Sequence, residues 1–292
     1  MSIKIILLTA IRLVSYEKLT LFGIIELGML MTNPFLEVSS TIPPIVMQSF
    51  VILMIAFVII GTLFDIAHKK NAKYFFENYK KGKNAATKKL SSSEVASIVT
   101  KTVANDILTT AELGVGQRRI AHLLGMYGSI LFWTCSAIMI FAYSSAGANT
   151  PNILPMLWHV GAIMTCLGGY WFWFFLRVDV SAEANKWNRI IRADLFVLSL
   201  VAGATFGLLW SYFQSSGVPI LDTIFLILFG LSNIVLFGGV YWSKFAHMFY
   251  KPGAAIQKNL SAADGFRDDL PSPADKPKKY GLGIKRESPK HY

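Results

Sequence analysis

Charge is scarce in this sequence. Charged side chains make up 15% of the 292 residues and hydrophobic ones 53%, where a soluble domain carries about 25% charged residues. A soluble chain of this length can bury a large core, but it alternates polar and apolar faces along each element. Here the apolar residues come in long unbroken runs. Cysteine is nearly missing: Cys135 and Cys166 are the whole stock, each inside an apolar run and without CxxC spacing. That excludes a disulfide framework and a cysteine-rich zinc site, and leaves both as small apolar core residues. Acidic residues are outnumbered, 17 against 28 basic ones, for a net charge of +11. A surplus of this size invites nucleic acid as a partner. Its distribution argues for none, because the basic residues lie between and after the apolar runs, as on the inner side of a membrane protein. No glycine-rich phosphate loop, nucleophile constellation or internal repeat is present.

What is present is membrane-spanning material. A hydrocarbon layer about 30 Å thick needs about 20 apolar residues in a helix. Five segments qualify, at about 45–66, 120–143, 153–176, 195–213 and 220–250. The expected fold is therefore all-α, an integral membrane bundle of five transmembrane helices. The loop 67–119 holds eleven Lys and Arg, the loop 177–192 holds four, and the chain from Lys244 onward holds ten. The loops 144–151 and 214–219 hold none. The positive-inside rule then places the basic segments in the cytoplasm, with the N-terminus outside and the C-terminus cytoplasmic.

Three regions follow. Residues 1–43 carry two short apolar pieces broken by SYEK at 15–18, too short to cross, and are expected to lie at the outer membrane interface. A cleaved signal peptide lacks a small-x-small cleavage site. Residues 44–250 form the membrane domain, including the cytoplasmic loop 67–119. In that loop Ser91 and Glu94 have capping-box spacing, and Val95, Val99, Val103 and Ile107 recur at helical spacing, which predicts a one-sided helix. That helix could dock on a partner or lie on membrane lipid. Residues 251–292 are polar and punctuated by Pro271, Pro273, Pro277 and Pro289, and are expected to be an extended cytoplasmic tail.

Ionisable groups in a membrane are costly and mark function. His122 lies about one turn inside the second span, and His247 near the end of a long fifth helix. At 1.5 Å rise per residue both fall at similar depth near the cytoplasmic surface. Two histidines from different helices at one depth could hold one haem iron from opposite sides. Arg118, Arg119 and Lys244 beside them suit anionic propionates, and equally suit plain positive-inside anchoring. His159, on the third span toward the outer side, is open to three readings: a quinone or proton-transfer residue, a ligand of a second haem, or a satisfied structural histidine. His68, near Asp65, reads as an interfacial residue and a spare ligand. The aromatic run YWFWFF at 170–175 sits where interfacial anchors concentrate.

The stretch YWSKFAHMFYKP (241–252) resembles the end of the last helix in the nitrate reductase gamma-subunit superfamily, where a Ser-Lys/Arg-x-x-His-x-x-x-x-Pro element carries a haem ligand. The segment RRIAHLLGMYG (118–128) resembles that family's second helix, whose histidine ligates the same haem. Within the superfamily the tail (AADGFRDDLP at 262–271, PADKP at 273–277, YGLGIKR at 280–286) is similar to the membrane anchors of dissimilatory adenylylsulfate reductase. The resemblance implies a non-catalytic haem b subunit in a bacterial inner membrane. It implies electron transfer between cytoplasmic adenylylsulfate reductase, with its flavin and iron–sulfur subunits, and quinone. The sequence departs from di-haem members: Phe132 stands ten residues after His122 where they carry a second histidine, and 228–231 is apolar where they carry another. One haem is therefore expected. Two other readings stay open, a haem-free anchor of the same enzyme and the cytochrome b subunit of a nitrate- or heterodisulfide-type reductase. A small transporter is the rival from another class, and the chain shows none of the repeats that such proteins carry.

Overall fold

The computed structural model describes residues 28–243 and 247–266. The segment expected at the interface therefore lies largely, at 1–27, outside the described residues, as does the tail 267–292. Every regular element described is helical, with no strand among the described residues. The longer helices in chain order are α1 (Pro34–Val38), α2 (Pro44–Lys69), α3 (Asn71–Asn84) and α4 (Ser92–Thr102), the last running on into a wider π-helical segment (Val103–Leu108). Then come α5 (Gln117–Ala142), α6 (Ile153–Trp171) ending in a π-helical turn (Phe172–Leu176), α7 (Leu195–Ser215), α8 (Pro219–Gly238) and α9 (His247–Asp264). Helices α2, α5, α6, α7 and α8 are each long and apolar enough to cross a membrane.

The chain divides into two compact units. The first takes residues 1–56, 124–169 and 197–237. Its core is aromatic: Trp158 and Trp210 are fully buried, and Phe132 is 2% exposed. Phe132 packs on Trp158 with ring centroids 4.9 Å apart, and Trp210 stacks on Phe229 at 5.7 Å. The indole N–H of Trp158 donates to Ser136 Oγ at 2.8 Å, so burying the ring orphans no polar group. Glycines let α5 and α6 touch backbone to backbone. A Cβ at Gly128 would lie 2.8 Å from the carbonyl oxygen of Gly161, and one at Gly161 would lie 2.7 Å from the amide nitrogen of Phe132. Small residues at such crossings are how helices gain contact where lipid offers no hydrophobic drive.

The described part of the N-terminal region does more than rest on an interface. Asn33 caps α1 by accepting from the amides of Phe35 and Leu36, and its Nδ2 donates to the Tyr143 carbonyl at 3.1 Å and to Thr150 Oγ1 at 3.0 Å. Phe35 is thereby inserted into the aromatic core, 5.3 Å from Trp210.

The second unit takes residues 57–123, 170–196 and 238–292. Here α9 packs against α3 and α4. The Ser91–Glu94 capping box is present: the Ser91 amide donates to Glu94 Oε2 at 2.8 Å, and the Glu94 amide donates to Ser91 Oγ at 3.3 Å. Lys88 first, then the Ser91 amide and hydroxyl, hold the Glu94 carboxyl down to about 2. A depressed carboxylate pKa adds stability that is complete above the ordinary value of 4.5 and is lost as pH falls toward 2. Ser91→Ala should cost the helix start about 1 kcal/mol. Hydrogen exchange at the first amides of α4 should show the loss, and below pH 4 the wild type should exchange more nearly like the variant.

Two sequence expectations are corrected in this unit. The fifth helix does not run on to Tyr250: α8 stops at Gly238, and a turn follows in which the Trp242 and Ser243 amides donate to the Gly239 carbonyl. Consecutive glycines, each costly in a helix, supply the break. The region from 251 is not extended throughout either, since α9 continues through Pro252 to Asp264. Tertiary contacts hold it: Asn259 Nδ2 donates to Thr102 Oγ1 and to Asp106 Oδ2, both at 2.8 Å, and the Thr87 and Lys88 amides donate to the Asp264 carbonyl at 3.0 Å.

Candidate functional site

His122 occupies the second turn of α5, and its Nδ1 is shielded from solvent. Arg118 lies four residues earlier, hence on the same helix face. Its Nη2 donates to the Leu176 carbonyl at 2.9 Å, closing the π-helical end of α6, and its Nε is buried with no hydrogen-bond partner. Arg119 is also engaged, its Nε donating to the Thr109 carbonyl at 2.7 Å at the end of the segment after α4. The two arginines read as propionate partners thus first serve as helix-end clamps. A guanidinium has five N–H donors, so a single carbonyl leaves each of them donors to spare.

His247 is the first residue of α9 rather than part of α8. Its side chain and all of Lys244 lie outside what is described. His122 and His247 belong to the same compact unit. Close to His247 in sequence, Tyr250 donates its hydroxyl to Asp65 Oδ2 at 3.1 Å. Asp65 is 1% exposed and pairs with Lys69 at 2.5 Å, while Lys69 also donates to the Tyr241 carbonyl at 3.0 Å. Burial, and then the hydrogen bond to Asp65, push the Tyr250 phenol above its ordinary value. The start of α9 is therefore tied to the end of α2. His68 is exposed and stacks on Phe64 at 5.0 Å, which suits an interfacial residue.

His159 belongs to the other unit and is fully buried. Its Nδ1 lies 2.7 Å from the Pro155 carbonyl and its Nε2 2.9 Å from Ser211 Oγ. A carbonyl only accepts, so Nδ1 carries the proton and donates, and in the neutral ring Nε2 then accepts a hydrogen bond from the Ser211 hydroxyl. Both nitrogens are occupied, so ligating iron would require breaking one of these bonds. Among its three readings, these two bonds suit the structural histidine. Phe132, ten residues after His122, fills the aromatic core.

The aromatic run 170–175 has a defined task at its centre. Trp173 is 5% exposed and lies beneath the Arg177 guanidinium, 4.1 Å from its ring centroid. Arg177, 3% exposed, forms an ion pair with Asp194, 9% exposed, which also accepts from the Ile191 amide at 3.0 Å. Sequence reasoning missed this pair. The signal was faint: Asp194 is an acid just ahead of the expected fourth span, after Lys186, Arg189 and Arg192.

Five spans in an all-helical chain define a multi-pass membrane protein. Comparison with protein-family models, with curated proteins and with solved structures finds no match to this chain. Among the described residues no three His, Cys, Asp or Glu side chains gather as a metal cage. His122 and His247 are the cofactor candidates that the sequence offers. The fit to haem b rests on two features: His122, a ring with its Nδ1 out of solvent, and one turn away the buried, unsatisfied Nε of Arg118. A haem b bound there would need a ligand for its iron and a cation for its propionates.

Proposed function

We propose that this chain is the haem b membrane subunit of a quinone-linked oxidoreductase, relaying electrons between a cytoplasmic enzyme and the quinone pool of a bacterial inner membrane. The observation that carries it is the placement of His122 and His247 in one compact unit at the basic end, with the unsatisfied Arg118 Nε a turn from His122. His122 and His247 would hold the iron, and Arg118, with Arg119 and Lys244, the propionates. A haem with two histidine ligands has no open position and supplies one-electron transfer rather than substrate chemistry. The protein's own part is to fix those side chains. Arg118 anchors the start of α5 to the end of α6, and the Tyr250–Asp65–Lys69 group anchors the start of α9 to α2. Following the positive-inside rule, this end faces the cytoplasm. The resemblance of helix ends and tail makes adenylylsulfate reductase, working as an oxidase of sulfite with AMP, the proposed partner.

One observation favours the second reading, a haem-free anchor: both Arg118 and Arg119 already hold a backbone carbonyl. Addition of a short-chain quinol under anaerobic conditions to haem-replete membranes holding the full chain separates the two. A b-type absorption change that His122→Ala abolishes supports the relay. A colourless chain that still co-purifies with its soluble enzyme establishes the anchor.

A further inference from the structure

Helix α3 begins two residues after the last residue of the α2 span, and Lys70 between them takes a left-handed conformation, φ 55°, that turns the chain. Chain continuity keeps the start of α3 at the membrane boundary. One side of the helix is covered. A Cβ at Gly82 would lie 3.1 Å from the Phe266 ring, and one at Gly253 would lie 3.5 Å from the Phe75 ring, so this side packs on α9 and the residues just after it. On another side Lys73, Phe76, Lys80 and Lys83 recur at three- and four-residue spacing and share one face, with Tyr79 at its edge. All five are exposed, Phe76 at 65% and Tyr79 at 44%. Glu77 is the one acid in the helix, and it pairs with Lys73 at 3.7 Å.

We propose that α3 is an anionic-lipid-binding helix: it lies on the membrane surface with Phe76 and Tyr79 at headgroup depth and Lys73, Lys80 and Lys83 on lipid phosphates. A solvated face accounts for the lysines but not for two large aromatic rings left open among them. An interface accounts for both, since aromatic rings settle at headgroup level and lysine stems lie along apolar matter while their ammonium groups reach phosphate. Each basic residue near an anionic surface adds attraction that salt screens. An acidic soluble protein would also satisfy the charge. The lipid surface is favoured because the span brings α3 to it whether or not a partner is present.

The test uses the full chain with Cys135 and Cys166 replaced by alanine and Asn84→Cys carrying a fluorophore. It is held in nanodiscs of phosphatidylcholine with or without phosphatidylglycerol, each doped with a headgroup-nitroxide lipid quencher. Quenching should be strong in the anionic discs. It should fall several-fold in the triple variant Lys73→Gln/Lys80→Gln/Lys83→Gln, and likewise in molar salt. Thermal unfolding of the variant in detergent should match that of its parent, which shows that the lost quenching is not lost folding. Equal quenching in neutral and anionic discs, or in parent and variant, overturns the proposal. Absence of quenching in every disc also overturns it and leaves the face to an acidic protein partner.

Discussion

Asp194→Ala should lower stability by about 3–5 kcal/mol, because it removes the carboxylate that pairs with Arg177, a residue only 3% exposed. The Trp173 face beneath Arg177 remains, but a cation on an aromatic ring contributes only about 0.5–2 kcal/mol and does not replace a carboxylate. The neutral double variant Arg177→Leu/Asp194→Leu should recover most of the loss, since removing both charges also removes the cost of burying them. Thermal unfolding in one detergent, compared across the single and double variants, decides the matter. A single variant within about 1 kcal/mol of wild type would mean that the pair is solvated and structurally idle.

Gly161→Ala is the second change with a large expected effect, and two principles disagree about its sign. Helix propensity alone favours alanine over glycine by about 0.5–1 kcal/mol. Packing opposes it: the new methyl would lie 2.7 Å from the Phe132 amide nitrogen and 2.8 Å from the Gly128 carbonyl oxygen, both backbone atoms that no rotamer change can move aside. Overpacking of this kind costs about 1–3 kcal/mol or more, so packing should win and the variant should be destabilised. The damage should spread, because Phe132 also packs on Trp158 and Phe229. Tryptophan fluorescence of the native state should shift along with the melting temperature. A stabilised Gly161→Ala would show that α5 and α6 do not meet as closely as described.

Much of this architecture was legible in the sequence because apolar run length is a direct reading of bilayer thickness. The first four spans fall within a few residues of their expected limits, and the Ser91–Glu94 capping box forms as its spacing requires. The fifth span was read too long. Val240, Tyr241 and Trp242 continue the apolar run past Gly238, and hydropathy does not register that two glycines can end a helix. Helix α9 was missed for the converse reason. The chain from 251 is polar and reads as a tail, while the contacts that hold α9, from Asn259 to Thr102 and Asp106, are 157 and 153 residues away in sequence.

At the candidate site, the sequence placed His122 and Arg118 on one face of one helix. It could not show that Arg118 reaches Leu176, 58 residues on, because such a bond exists only once α5 and the end of α6 are adjacent. The Arg177–Asp194 pair and the Pro155–His159–Ser211 chain were hidden for the same reason. Phe35 was hidden differently: a lone aromatic in a short, polar-flanked segment gives no sign of which side of an interface it enters.

The central claim is that His122 and His247 hold one haem b while His159 is structural. Its most direct test is the dithionite-reduced minus oxidised optical spectrum of the full chain purified from haem-replete cells, beside those of His122→Ala, His247→Ala and His159→Gln. The account predicts a b-type signal in the wild type, its loss in each of the first two variants, and its retention in His159→Gln wherever that variant folds. A colourless, well-folded wild type, or a b-type signal that survives both His122→Ala and His247→Ala, would contradict it.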